Sequence, residues 1–252
     1  EDDLLGINNT MCGTTEATHS VVSDHGTDPV PDASRTTKCV RYYWEVGYDI
    51  YQNKGSLAAT TSFITGLFNQ SATLFANDGI DVTLSEVFVW DVASPYGQTT
   101  SNGRLNQFGV TRTSFNGDMA HLIDLGSYGG VAWLNTLCNA QTRYRMAYSG
   151  IYSSYSNVPT YSWSVEVVTH EQGHSLGSQH THACSWNGNN TAIDGCGPTY
   201  GSQYSEGSCP IGPVPTSAVG GTIMSYCHLV SAGIKFVNGF GPQPTGRIVT
   251  AV

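Results

Sequence analysis

The segment HEQGHSLGSQH, residues 170–180, restricts this chain more than any other stretch. Run as a helix, it puts His170 and His174 one turn apart and about 40° apart around the axis, so both imidazoles project from one side. That is the spacing two metal ligands need. Glu171 stands roughly 100° round from His170, where a carboxylate reaches a metal-held water without becoming a ligand. Gly177 supplies a residue that leaves the helix with positive φ and lets the chain return His180 as a third ligand. Three neutral imidazoles with one open position make a catalytic zinc centre, whereas a structural site fills all four positions with protein side chains. A histidine pair at i, i+4 alone is common on a solvated helix face. Five positions specified together are different, with a chance match of roughly one in 10^4 to 10^5 for this composition.

The rest of the composition sets the surroundings of that site. At 252 residues the chain is long enough for one large domain or two packed subdomains. Charged residues are only 12%, about half the usual roughly 25%, so Ser, Thr, Asn, Gln and Gly must solvate the surface. A net charge of -9 denies the chain the electrostatic term of phosphate-backbone binding and excludes nucleic acid as a partner. No apolar run approaches the roughly 18 residues of a membrane span, and the acidic start Glu1-Asp2-Asp3 is no signal peptide. Seven cysteines and three glycosylation sequons, at Asn8, Asn69 and Asn189, suit a secreted, extracellular protein. The odd count leaves at least one thiol free, metal-bound or paired with another chain.

Along the chain, residues 1–37 are dominated by Asn, Thr, Ser, Asp and Pro and read as an extended arm or propeptide remnant. A strand is expected over residues 40–51, a helix over 55–77 and a strand over 82–90, making a β-α-β start. Residues 99–115 form a weaker helix candidate because of Gly103 and Gly109. Residues 119–125 and 131–137 read as short strands joined by a Gly-rich turn, and residues 161–176 as the best-defined helix. Residues 183–222 are rich in Gly, Ser, Pro and Cys, and disulfides are expected to order them.

The pattern HExxHxxGxxH, together with Gly221-Thr222-Ile223-Met224-Ser225-Tyr226 44 residues after the third histidine, resembles the zinc signature and Met-turn of the metzincin metallopeptidases. FNGDMAHLIDLGSYGGVAWLNTLC, residues 115–138, is similar to the adamalysin (reprolysin) branch, as are RYYWEVGYDIY and the helix after it. The resemblance covers residues 39–252. Two departures stand out: Thr181 occupies the place where adamalysins carry Asp, and Met224-Ser225-Tyr226 looks more like the turn of astacins and serralysins. The resemblance implies an α/β (α+β) fold with a twisted mixed sheet and long helices in an upper subdomain. That subdomain runs to about residue 177, over a small irregular disulfide-bonded lower subdomain, residues 178–252. Residues 38–252 would then be the catalytic domain of a monomeric, secreted zinc endopeptidase.

In that reading His170, His174 and His180 bind Zn2+, Glu171 is the general base acting on the zinc-bound water, and Met224 lies under the metal without ligating it. Tyr226 is either a fifth ligand, a donor to the transition-state oxyanion, or a core tyrosine under the site. Protein or peptide substrates would lie along an edge strand at Val131, Ala132, Trp133, Leu134 and Asn135. The resemblance also implies a Cys138–Cys227 disulfide. It further implies a Ca2+ site at Glu45, Asp118 and the Cys227 carbonyl, although the Asn expected three residues after that cysteine is Val230. Met11-Cys12-Gly13-Thr14 is similar to the cysteine switch that keeps adamalysins latent as zymogens; the alternative for Cys12 is an ordinary disulfide, for example with Cys39. A rival of another class is a secreted, catalytically weak or latent binding domain that keeps zinc for structure alone. The intact Glu171 argues against it.

Overall fold

The computed structural model describes residues 39–252 and the backbone of a short strand β1 (Gly13–Thr15); Cys12 and the rest of residues 1–38 lie outside the described residues. The aromatic and β-branched run after residue 38 forms β2 (Cys39–Val46). It stops earlier than its composition suggests: Gly47 turns the chain where a side chain would collide with Asp49 and Asp124, and the next residues coil into α1 (Tyr48–Lys54). Ser56 then caps α2 (Leu57–Asn77) by accepting from the Ala59 amide, and Gly55 ends α1 at φ 78°. Next come β3 (Asp81–Val89), α3 (Ser101–Thr111), β4 (Met119–Leu125), β5 (Gly130–Trp133), β6 (Met146–Ile151), α4 (Trp163–Ser175), α5 (Cys196–Tyr200) and α6 (Pro242–Ala251).

The six strands form one mixed sheet in the order β1-β5-β6-β4-β2-β3. All neighbours run parallel except β5 and β6. Parallel strands need both faces covered, and the period-two alternation shows how. Val40, Tyr42, Trp44 and Val46 of β2 join α2 and α4 in the larger core, while Tyr43 points into the smaller one beside Leu105 and Phe108 of α3. Strand β4 divides likewise, with Met119 and Ile123 on the first face and Ala120 and Leu122 on the second.

Residues 178–240 hold only α5 and three-residue 3-10 turns. Their apolar side chains, including Ile223, Met224, Phe236 and Phe240, complete the larger core from below. Disulfides Cys184–Cys209 and Cys196–Cys227 tie this region together. The expected Cys138–Cys227 bridge is not formed. Cys227 is buried and closes with Cys196, whose Cα lies 4.9 Å away, whereas Cys138 is an exposed free thiol in a left-handed turn (φ 66°). Cys39 is exposed and free as well. No described helix is long and apolar enough to cross a membrane.

Candidate metal centre

Helix α4 is polar in sequence yet buried at every position. Part of its polar surface is matched across the helix pair: the Thr169 hydroxyl donates to Ser71 Oγ of α2, whose own hydroxyl donates to Gln172 Oε1. This buried rod carries His170 and His174 to the floor of the sheet. Leu176 ends it, and Gly177 at φ 103° turns the chain with the backbone amide of Ser178 bonding back to Gly173. The residues after that turn bring His180 back to the same point.

The three rings converge through their Nε2 atoms, with His174 Nε2 3.0 Å from that of His170 and 3.1 Å from that of His180. All three side chains are buried. Each Nδ1 faces away from the cluster: His170 donates to Ile223 carbonyl oxygen at 2.7 Å, His174 to that of Ser178 at 2.6 Å, and His180 meets Glu206 Oε1 at 2.5 Å. Zinc fits this donor set. Zn–N bonds of about 2.0–2.1 Å put ligand nitrogens roughly 3 Å apart, and imidazoles whose Nδ1 protons are already engaged present bare Nε2 lone pairs.

Electrostatics points the same way for two of the three. Burial lowers the pKa of His174, and positive charge on His180 or His170 would lower it further. Burial takes His180 down to about 4 against the attraction of Glu206. For His170 burial lowers the pKa, but the buried Glu166 carboxylate one turn back, 3.5 Å from Nδ1, together with Glu171, more than offsets it and the net shift is upward.

Glu171 is buried on the adjoining face of α4 and lies against the first residue of β5. A Cβ on Gly130 would fall 2.3 Å from Glu171 Oε1, so only glycine lets the carboxylate reach the head of that strand. The chain leaving β5 is pinned to the end of α4, with the Asn135 and Thr136 amides donating to the His174 and Ser175 carbonyls. Val131, Ala132 and Trp133 thus belong to the strand. Leu134 and Asn135 belong to the turn after it, which requires φ 54° at Asn135. The outer edge of β5 is paired in parallel with β1, Gly13 opposite Val131.

Met224 is fully buried under α4, and its Sδ would be 2.6 Å from a Cβ on Gly173. Gly173 therefore admits the Met-turn between the two helical histidines. The turn is bonded directly to the segment bearing the third histidine, since the Thr181 amide donates to Met224 carbonyl oxygen. The Tyr226 ring packs edge-on to His180 with centroids 4.5 Å apart and also touches His182 and Tyr204.

The expected calcium set finds no support in the contacts of its members. Glu45 is buried and its carboxylate already accepts from Arg112, Trp90, Tyr96 and Tyr43, which fills its lone pairs and cancels its charge. Asp118 Oδ2 accepts from the Arg41 amide, and the Cys227 carbonyl accepts from the Val230 and Gly233 amides. No described group of three ligand-type side chains contains Glu45 or Asp118.

Sequence reasoning passed over Asp194 and Glu206, the two acidic residues of 183–222. Asp194 accepts from the Thr181 hydroxyl at 2.5 Å, beside the third histidine, and Glu206 meets His180. Both lie far from residues 170–180 in sequence; the one available signal was their rarity in a stretch otherwise without carboxylates.

Among solved structures, one titled "Structure of a chaperone-substrate complex" is similar over 86% of this chain, at 12% identity and a TM-score of 0.45. The chain spans about a third, 35%, of that structure's length. Residues 16–234 match the model Reprolysin_5, described as metallo-peptidase family M12. With the fold, the three converging imidazoles and a family match across most of its length, the chain belongs to metallopeptidase family M12.

Proposed function

We propose that this protein is a secreted zinc endopeptidase that cleaves protein substrates held along strand β5. The observation that carries the reading is the meeting of three parts at one point: the Nε2 cluster of His170, His174 and His180, the Glu171 carboxylate, and Gly130 at the head of the edge strand. Zinc, when bound, polarises a carbonyl oxygen and acidifies a water molecule. Glu171 takes the water's proton and passes it to the leaving amine. Its buried position keeps bulk water from competing for that proton. An extended peptide on the outer edge of Val131–Trp133 presents its backbone within reach of Glu171, with main-chain hydrogen bonds supplying affinity. The Tyr226 phenol, on the ring that abuts His180, is the candidate donor to the oxyanion. Two disulfides among the described residues support an oxidising, extracellular setting.

The pairing of β1 on the same edge of β5 favours a second, compatible reading: the chain with its N-terminal arm is a latent form. Gly13–Thr15 covers the hydrogen-bonding groups a substrate would use, and Cys12 directly precedes it. Casein hydrolysis with zinc, with a chelator, and in Glu171→Gln tests the main reading. Chelation and the substitution should each remove activity, the latter by about 10^2–10^4-fold with zinc still bound stoichiometrically. Full activity in Glu171→Gln would sink it. Removal of residues 1–38 should raise the rate, and an unchanged rate would dispose of the latency reading alone.

A further inference from the structure

Two of the three zinc-site histidines are steadied by backbone carbonyls that the fold holds in place, those of Ile223 and Ser178. His180 is not. It lies beyond the end of α4, and its Nδ1 faces the side chain of Glu206, whose Oε1 is 2.5 Å away. The same oxygen is 3.6 Å from His182 Nε2. His182 is buried, with neither ring nitrogen in a hydrogen bond, and it stacks on His180 at an interplanar angle of 9° and a centroid distance of 4.9 Å. Its ring rests on Gly197, where a Cβ would come within 3.0 Å of three ring atoms.

The carboxylate is itself held by a covalent loop. The Cys184 amide donates to Glu206 carbonyl oxygen at 2.8 Å, Ala183 and Glu206 form a parallel bridge, and the disulfide Cys184–Cys209 closes the chain around them. Gly207 takes φ 103° against that bridge, where a Cβ would lie 2.6 Å from that of Cys184. The Glu206 backbone is therefore fastened to the residues just after His180, while its side chain remains one-third exposed.

Resting on the zinc-site reading above, we propose that Glu206 is the positioning residue of His180. It holds the imidazole in the Nδ1–H, bare-Nε2 form that ligates metal, and the Cys184–Cys209 disulfide sets its reach. An ionised acceptor binds the Nδ1 proton more strongly than a carbonyl does and makes Nε2 a more basic ligand. His182 acts as a wall that stops the His180 ring from tilting. The third ligand is thereby set by a side chain and a crosslink, whereas the first two are set by the helix and the Met-turn.

The test is zinc affinity, read by competition with a chromophoric chelator on the full chain and alongside the thermal midpoint of the metal-free protein. Glu206→Ala should weaken zinc binding about 10–100-fold, the usual cost of losing such a partner, while the metal-free midpoint stays at the wild-type value. Glu206→Gln should lose less, because its amide oxygen still accepts from Nδ1–H. Cys184→Ser/Cys209→Ser should weaken zinc in the same direction, and adding Glu206→Ala to it should cost less than Glu206→Ala does alone. Zinc affinity within twofold of wild type in Glu206→Ala would overturn the assignment, as would fully additive losses in that cycle. A second equivalent of zinc that disappears with Glu206 would overturn it too, making the carboxylate a direct ligand of another ion. Wild-type protein that binds no zinc would instead overturn the zinc-site reading and this inference with it.

Discussion

Helix α4 and the loop that runs from Ser178 to Tyr226 deliver histidines to one point, yet they hold them by different means. In α4 every residue is buried, the backbone bonds are satisfied within the helix, and packing against α2 and the sheet fixes the rod. In the loop the longest regular element among the described residues is the five-residue α5, and left-handed glycines, local amide bonds and two disulfides do the fixing. A side chain on a buried helix is placed by dozens of weak contacts. On the loop, a few specific bonds place it, and each of them matters more.

If the two means are equivalent at the metal, His174→Ala from the helix and His180→Ala from the loop should both abolish stoichiometric zinc, the largest effect expected. Metal analysis after dialysis reads it; zinc retained in full by either variant would break the equivalence. Stability should then separate the halves. Cys196→Ser/Cys227→Ser opens a crosslink spanning 31 residues and should cost about 3–4 kcal/mol, with hydrogen exchange accelerating in residues 178–240 ahead of the sheet. Uniform acceleration in both halves would show that the shared core, not the crosslink, governs the lower region.

Gly130→Ala acts where the two halves meet. Its Cβ collides with Glu171 and should cost about 1–3 kcal/mol in denaturant unfolding, with at least a tenfold drop in peptide hydrolysis. An unchanged rate would mean that the carboxylate has another place to sit.

The smallest effect, read near pH 6, belongs to the sheet. His121 of β4 is buried between Trp44 and Ser149, and burial lowers its pKa from 6.5 to about 3. The unfolded chain takes up that proton first as pH falls. Stability is therefore full above pH 6.5 and is lost progressively down to about pH 3. The loss at pH 6 is about 1 kcal/mol. His121→Gln should flatten this part of the pH profile, and a parallel profile would refute the buried-histidine account.

The difference between the halves also explains what could be read beforehand. Residues 119–125 were legible as a short apolar run closed by a Gly-rich turn, α2 because helical spacing records which face is buried, and the caps at Ser56 and Gly55 are local chemistry. Strand β6 was not: MAYSGI is buried on both faces, so it alternates nothing, and Ser and Gly within it mimic a turn. Helix α6 was hidden by Pro242, Pro244 and Gly246, although proline at the first turn costs a helix little. The disulfides were illegible in principle, because which thiols approach depends on loops without periodicity.

What the chain determined by itself was the metal centre's core, since i, i+4 spacing on a helix fixes two ligands and an adjacent carboxylate whatever surrounds them, and Gly177 permits the return of the third. Tertiary structure alone decided the rest. It set Cys196 rather than Cys138 against Cys227, filled the Glu45 carboxylate with four donors, put Gly130 under Glu171, and drew Glu206 across 26 residues to His180. Those contacts join residues remote along the chain, and no local pattern records a distance that exists only once both halves have packed on α4.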